Sequence, residues 1–237
     1  MKFYKLSVSS EPKVIGVNNG VYQGNIAWKK FELKNSEKKI KEGYFSLKKH
    51  LENKKIIEPI DFEIEYIEAL KAAKLTDFFT YSPILWGVNY FVTKKVKDLL
   101  GSFKLPLSAF IPANIFHKGI KYEYYAFYVP VHYREDSFDF SNSVFYDGLP
   151  NSMKPKQYLN FNSIDDYRNC KPGTLKQSEK LAFNNNFDNT LDLFDSLYIG
   201  KGYIISESLK LAMEEAAVTG IVIREPEEPE LVLNNSY

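Results

Sequence analysis

The apolar positions change their period along the chain, and each change marks an element. Residues 1–35 carry short β-type runs, with Asn18-Asn19-Gly20 as a turn signal between Val14–Val17 and Val21–Trp28. Residues 36–56 are Lys/Glu-rich with sparse apolar positions (Ile40, Phe45, Leu47, Leu51), which fits a surface helix or an extended loop. Phe62, Ile64 and Tyr66 alternate with Glu63 and Glu65, the pattern of a half-buried strand, and a helix is expected over Ala69–Leu75.

The pattern sharpens at Tyr90-Phe91-Val92. Thr93 follows as a candidate N-cap, and Val96, Leu99, Leu100 and Phe103 fall at helical spacing up to a stop near Gly101. Phe110-Ile111-Pro112 through Phe116, a Lys118-Gly119 turn and an aromatic run Tyr122–Tyr133 predict a strand pair. Pro130 within that run implies an edge or a bulge. Residues 150–156 and 169–174 read as loops and Asn184-Asn185-Asn186 as a turn. Tyr203-Ile204-Ile205 is a strand, Ser206 a cap, and Leu209, Ala212, Met213 and Ala216 one face of a helix that Thr219-Gly220 breaks. Ile221-Val222-Ile223 follows as a terminal strand. In residues 225–230 paired prolines exclude helix and weaken sheet pairing, so an extended acidic tail is expected over 225–237.

The two strand–cap–helix units overlay at an offset of 113 residues, the step from Tyr90 to Tyr203. Gly87 then meets Gly200, Thr93 meets Ser206 and Lys97 meets Lys210, with Val92/Ile205, Val96/Leu209 and Leu100/Met213 as apolar pairs. A duplicated unit explains this, and so does the generic likeness of any capped strand–helix. The pattern as a whole predicts an α+β fold: an antiparallel, aromatic-rich sheet carrying a few short capped helices. A Lys-rich region 1–60 packs on a main domain 61–224.

Composition sets the class. At 237 residues the chain can bury a substantial core, and 44% hydrophobic with 26% charged residues is globular usage. A net charge of +1 argues against a body-wide nucleic-acid or membrane-surface binder. That balance is a cancellation: residues 1–60 hold 13 Lys and 6 Glu, while residues 181–237 hold 3 basic and 10 acidic residues. Such runs are solvated faces or docking faces. No long apolar run follows Met1–Leu6 or occurs elsewhere, so neither a signal peptide nor a membrane span is expected, and the expected compartment is the cytoplasm.

Candidate chemistry is sparse. Cys170 is the lone cysteine, beside Arg168 and Lys171, and no base is assigned to it. His50, His117 and His132 are not at metal-ligand spacing, and neither phosphate-binding glycine motif occurs, so no metal and no cofactor is expected. Glu63 and Glu65 fit an acid–base pair or the wet face of a strand. His132-Tyr133-Arg134-Glu135-Asp136 gathers acid, base and cation, but strand alternation sends neighbours to opposite faces. An acidic cluster of Glu135, Asp136 and Asp139 leaves a small hydrolase or nuclease as one alternative. Lysines interleaved with Phe3, Tyr4, Trp28, Phe31, Tyr44 and Phe45 leave a single-stranded nucleic-acid binder as another. The absence of arginine from the first 133 residues weighs against nucleic acid as a partner. The unusual quantity is the 16% aromatic content, with 17 Tyr and 18 Phe, which serves either a β-rich core or a protein–protein interface.

One resemblance adds a function. Thr76-Asp77-Phe78-Phe79, Tyr90-Phe91-Val92-Thr93-Lys94-Lys95-Val96, Phe110-Ile111-Pro112-Ala113 and Tyr124-Tyr125 occur in order. Phe138-Asp139-Phe140-Ser141-Asn142-Ser143-Val144-Phe145 follows, then Leu193-Phe194, Tyr203–Lys210 and Val218-Thr219-Gly220-Ile221. This series, over residues 62–224, resembles a bacterial family of immunity proteins of polymorphic toxin systems, first catalogued as a domain of unknown function in myxobacteria. The Lys-rich first 60 residues and the acidic tail lie outside it. The resemblance implies a non-enzymatic inhibitor that binds a cognate toxin protein, and it transfers no catalytic residues. The tail carboxylates Glu225, Glu227, Glu228 and Glu230 are candidate contacts with a basic toxin, or a solvated tail.

Overall fold

The computed structural model describes residues 2–20, 22–32, 37–46, 48, 61–82, 85–130, 137–149, 153–194, 203–225 and 230–233. Its strands are β1 (Phe3–Val8), β2 (Gly24–Ile26), β3 (Ile64–Ala69), β4 (Phe78–Phe79), β5 (Tyr81–Ser82), β6 (Val88–Val92), β7 (Ala109–His117) and β8 (Ile120–Tyr128). They continue with β9 (Phe138–Asp147), β10 (Gln157–Leu159), β11 (Lys176–Phe183), β12 (Leu193–Phe194), β13 (Tyr203–Ser206), β14 (Ile221–Arg224) and β15 (Glu230–Leu233). The helices are α1 (Pro12–Ile15), α2 (Lys94–Leu100), α3 (Ile164–Arg168) and α4 (Glu207–Glu215), with a 3-10 turn at Trp28–Lys30 and a π-helical segment at Lys38–Tyr44. Among the described residues no helix is long and apolar enough to cross a membrane.

The fold is α+β. Three mostly antiparallel sheets run in the orders β4-β6-β8-β7-β3-β2-β5, β12-β13-β1-β14 and β10-β9-β11-β15. Strand alternation sorts the aromatic residues into layers. On β8, Tyr124, Ala126 and Tyr128 face a first core with Phe45, Ile64 and Phe91, while Phe127 on the other face enters a second core. That second core is shared with the next sheet through Tyr4, Leu6, Tyr203 and Ile205, and with the helices through Val96, Leu100, Leu209 and Met213. The far face of the β1–β13 sheet sends Phe3 and Ile204 into a third core with Phe140, Phe145 and Phe183. Most of the aromatic content is therefore interior.

The repeat is structural. Offset 113 carries the strand β6, the helix α2 and part of β7 onto β13, α4 and β14, and the hydrogen-bond register follows it. Val92 pairs with Tyr125 and Phe127 with Phe110 in the first unit; Ile205 pairs with Tyr4 and Leu6 with Ile223 in the second. Lys97 Nζ lies 4.1 Å from the Tyr125 ring centre and its counterpart Lys210 Nζ lies 4.8 Å from that of Tyr4. Position by position, then, the N-terminal strand β1 stands in the second unit where β8 stands in the first. Gly200, the position matched to Gly87, lies outside the described residues. The counterparts Tyr90 and Tyr203 touch each other, ring centres 5.9 Å apart, as residues beside a two-fold axis do. Leu6 is fully buried at the centre of this arrangement. Leu6→Ala should cost about 3 kcal/mol in urea denaturation, and a cost below about 1 kcal/mol would contradict β1 as an integral strand.

A reciprocal clasp joins the units. Thr93 donates its backbone N–H to the Asp77 carbonyl at 3.1 Å and its hydroxyl to Asp77 Oδ1 at 2.8 Å. In the second unit Ser206 donates its N–H to the Asp192 carbonyl at 2.9 Å and its hydroxyl to Asp192 Oδ1 at 2.7 Å. Each aspartate then reaches across. Asp77 Oδ2 accepts the Thr219 N–H beyond α4, and Asp192 Oδ2 accepts the Lys104 N–H beyond α2, both at 2.9 Å. Ser206 also accepts from the Leu209 N–H and so caps α4 as expected, whereas Thr93, which donates to Asp77 in the same way, makes no side-chain cap bond to α2.

Four local expectations differ from the structure. Val14 and Ile15 are helical, since Pro12 presets the first turn of α1 and Gly16, at φ 80°, closes it. Ala69–Leu75 is not a helix: Ala69 ends β3, the Leu70 N–H bonds the Gln23 carbonyl and the Lys74 N–H bonds the Ile15 carbonyl. Tertiary partners thus override local propensity. The aromatic strand stops at Tyr128, interior between β6 and β7, so Pro130 follows a strand and neither bulges it nor marks an edge. Residues 230–233, expected as tail, form β15 and pair in parallel with β11.

Candidate functional site

At the end of the seven-stranded sheet, β3 and β7 run parallel with Glu68 opposite Phe116. The alternation predicted for β3 is broken by a register shift between Ile64 and Ile67, so Ile64, Ile67 and Ala69 are the buried positions. Tyr66 is left half-buried and stacks on Phe116, ring centres 3.9 Å apart and planes within 4°. The stacked pair lies at one side of a cleft of about 490 Å³. Asn25 of β2 and the turns at Lys71 and at Lys118-Gly119 complete it.

The charges around this cleft are unequal. Lys30 bonds Glu68 Oε2 at 3.0 Å and lies 4.4 Å from the Tyr66 ring centre. The hydrogen bond to Glu68, and then that to the Tyr66 hydroxyl, hold the Lys30 ammonium above the ordinary lysine range. The one lining carboxylate is thereby matched by a cation. His117 Nε2 lies 3.4 Å from the Lys71 carbonyl. The ammonium groups of Lys71 and Lys118 have no hydrogen-bond or ion-pair partner among the described residues. Lys118 has φ 53° and Gly119 φ 83°, the geometry of a two-residue hairpin turn that favours Asn or Gly at its first position. A lysine there costs about 1 kcal/mol of backbone strain.

The tail carboxylates are divided between two sheets. Glu225 follows β14 and bonds Lys2 at 2.5 Å, which holds its carboxyl below the usual range. Glu230 opens β15 opposite Lys180. Glu227 and Glu228 lie outside the described residues, as do Glu135, Asp136, His50 and the His132–Asp136 run. Asp139 accepts the Asn142 N–H at 3.1 Å and its side-chain amide at 2.7 Å, a local turn within β9. Glu63 is exposed, and Glu65 accepts the Glu32 N–H at 2.6 Å. Cys170 is partly buried against the third core. Among the described residues no three His, Cys, Asp or Glu side chains gather as a metal site. Phe3, Tyr4, Phe31 and Phe45 are core residues, with Trp28 and Tyr44 packed on the first core, so the N-terminal aromatics are not an open stacking surface.

No protein-family model and no curated protein matches the chain. Four of the residues that carry the resemblance to immunity proteins, Asp77, Thr93, Ser206 and Thr219, belong to the clasp. They hold the scaffold together and do not line the cleft. Tyr66 and Phe116 are both recognisable in the sequence as strand residues. Their meeting depends on a parallel pairing between segments about fifty residues apart, and no local pattern announces it.

Proposed function

We propose that the chain is an immunity protein that binds a cognate bacterial toxin domain in the cytoplasm and neutralises it by direct contact. The observation that carries this reading is a set of exposed apolar residues toward one end of the β10-β9-β11-β15 sheet. Leu149 and Leu175 flank the Asp147–Lys176 pair, Met153 lies in the β9–β10 connection at the same end, and Tyr158 is on the adjoining edge strand. All four are more than half exposed, and Met153 is entirely so. Apolar surface grouped in this way marks protein-binding faces, and aromatic and Met anchors carry much of the energy of such interfaces. Inhibition by occlusion requires a preformed face and no reaction, which agrees with the resemblance.

If a toxin domain is encoded in a neighbouring gene, co-expression with it should restore growth, and the purified pair should form a stable complex. The double variant Met153→Asp/Leu175→Asp should keep its fold and weaken that complex by 100-fold or more. Full affinity in the double variant would move the interface elsewhere, and failure of the wild-type chain to protect would reject the function.

A further inference from the structure

We infer that the exposed end of the β10-β9-β11-β15 sheet is built to meet an acidic protein surface, whose carboxylates surround an apolar centre. This rests on the toxin-binding reading and adds the chemistry of the partner to it.

The geometry brings two connections together. Gln157 of β10, Asp147 of β9 and Lys176 of β11 stand in register on neighbouring strands. At ordinary strand spacing they span about 10 Å, so segments 148–156 and 169–175 leave the sheet from one short edge. Leu149 and Met153 belong to the first segment, Leu175 to the second and Tyr158 to the adjoining strand, each more than half exposed. The second segment is held in shape. Thr174 donates both its N–H and its hydroxyl to the Lys171 carbonyl, at 3.2 and 2.8 Å. The Leu175 N–H bonds Asp147 Oδ1 at 2.8 Å, and the Gly148 N–H bonds the Leu175 carbonyl at 3.1 Å. A face fixed before association pays less ordering entropy when it binds.

The charge at this edge has one sign. Segments 148–156 and 169–175 contain Lys154, Lys156 and Lys171 and no Asp or Glu. The carboxylates of the flanking elements are engaged. Asp147 accepts the Leu175 N–H, and Glu179 accepts from Lys156 at 2.7 Å and from the Tyr158 hydroxyl at 3.2 Å. In α3, which leads into segment 169–175, Asp165 faces Arg168 at 3.9 Å and Asp166 accepts the Asn162 N–H at 2.9 Å. The described tail carboxylates are committed elsewhere, Glu225 to Lys2 and Glu230 opposite Lys180 in the middle of β11. Lys154 and Lys171 are exposed beside the exposed apolar residues.

That sign selects the occupant. A second copy docked across a two-fold axis would set these lysines against their own equivalents, which repel. Anionic membranes are held by clusters of about four to eight basic residues, and this edge exposes two. An acidic protein surface with an apolar centre matches the lysines and the apolar side chains together.

The test is an NMR titration of the full chain with three seven-residue peptides. They share two Trp and one Leu and differ in four flanking residues, all Glu, all Gln or all Lys. The Glu peptide should bind and shift the amides of Leu149, Met153 and Leu175, about five-fold more tightly than the Gln peptide, with the Lys peptide weakest. High salt should erase that order. Lys154→Glu/Lys171→Glu should reverse it at unchanged Tm, and Met153→Asp/Leu175→Asp should abolish binding of all three. Equal affinities, preference for the Lys peptide, or shifts confined to other amides overturn the proposal. So does a wild-type dimer in analytical ultracentrifugation that Met153→Asp/Leu175→Asp makes monomeric, which names a second copy as the occupant. Sedimentation with phosphatidylserine vesicles that either double variant abolishes replaces the protein partner with a membrane surface. A chain that follows the Glu peptide pattern yet fails to protect against a neighbouring toxin keeps this surface and loses the toxin-binding function. A chain that protects equally well as Lys154→Glu/Lys171→Glu keeps the function and loses the acidic partner.

Discussion

Asp77→Ala should destabilise the protein by about 3 kcal/mol, lowering Tm by about 6–12 °C. The side chain is 12% exposed and holds together three segments distant in sequence. Oδ2 accepts the Thr219 N–H at 2.9 Å and the Thr219 hydroxyl at 2.8 Å, and it pairs with Lys95 at 2.7 Å; Oδ1 accepts from Thr93. Alanine leaves these donors without their acceptor and opens one arm of the clasp. Asp77→Asn keeps the shape and loses the charge, and should cost about half as much.

The same site sets an acid limit. Burial by itself raises the Asp77 carboxyl pKa, but the Lys95 ammonium, the Thr219 N–H and the Thr93 and Thr219 hydroxyls together outweigh it, so the group lies below the ordinary aspartate value. A carboxyl depressed in the folded state contributes its stability above the unfolded pKa of about 3.9 and loses it as pH falls through the folded value. The stability gap between wild type and Asp77→Asn, read by urea denaturation, should be full at pH 7. It should shrink from about pH 5 downward and close once pH is below the folded pKa. A gap independent of pH would show that the charge of Asp77 is not what holds the clasp.

Gly220→Ala should be comparably damaging, at about 3–4 kcal/mol. Gly220 has φ +86°, and a Cβ there would sit 2.5 Å from the Phe78 carbonyl oxygen and 2.7 Å from Thr76 Cβ. The contact is with backbone at the clasp, where Phe78 also donates its N–H to the Thr219 carbonyl at 3.1 Å, so nothing can swing aside. Gly119 supplies the control. Its φ of +83° is nearly the same, but a Cβ there would meet no atom within 4 Å, so Gly119→Ala should cost only the left-handed strain, about 1 kcal/mol. Equal losses at the two positions would mean that close approach at Gly220 contributes nothing.

The sequence discloses the repeat through Tyr90/Tyr203, Thr93/Ser206 and Lys97/Lys210, because β6–α2 and β13–α4 keep one spacing. It conceals the third strand of the second unit. Tyr4 is the counterpart of Tyr125, yet it lies at the opposite end of the chain, so no constant offset relates them. Asp77 and Asp192 are two residues further apart than the repeat offset, and a strict overlay misses them as well. Val14 and Ala69–Leu75 depart from their local pattern for another reason. Their conformations are set by Gly16 and by the carbonyls of Gln23 and Ile15, partners that local apolar spacing does not reveal. The cleft is the least legible feature, since its wall rests on a bulge in β3 and its cations on two turns whose residues look like ordinary solvated surface.

The position of β1 has a consequence for biosynthesis. Tyr4 and Glu207, which share a hydrogen bond, are separated by 203 residues, and both neighbours of β1 in its sheet belong to the last strands of the second unit. A ribosome adding roughly 5–20 residues per second emits β1 some 10–40 s before those neighbours exist. Through that interval the first unit can close on its own β7–β8 hairpin while the nascent N-terminus waits with both edges open. The order of translation therefore opposes the order of assembly in one half of the molecule and matches it in the other.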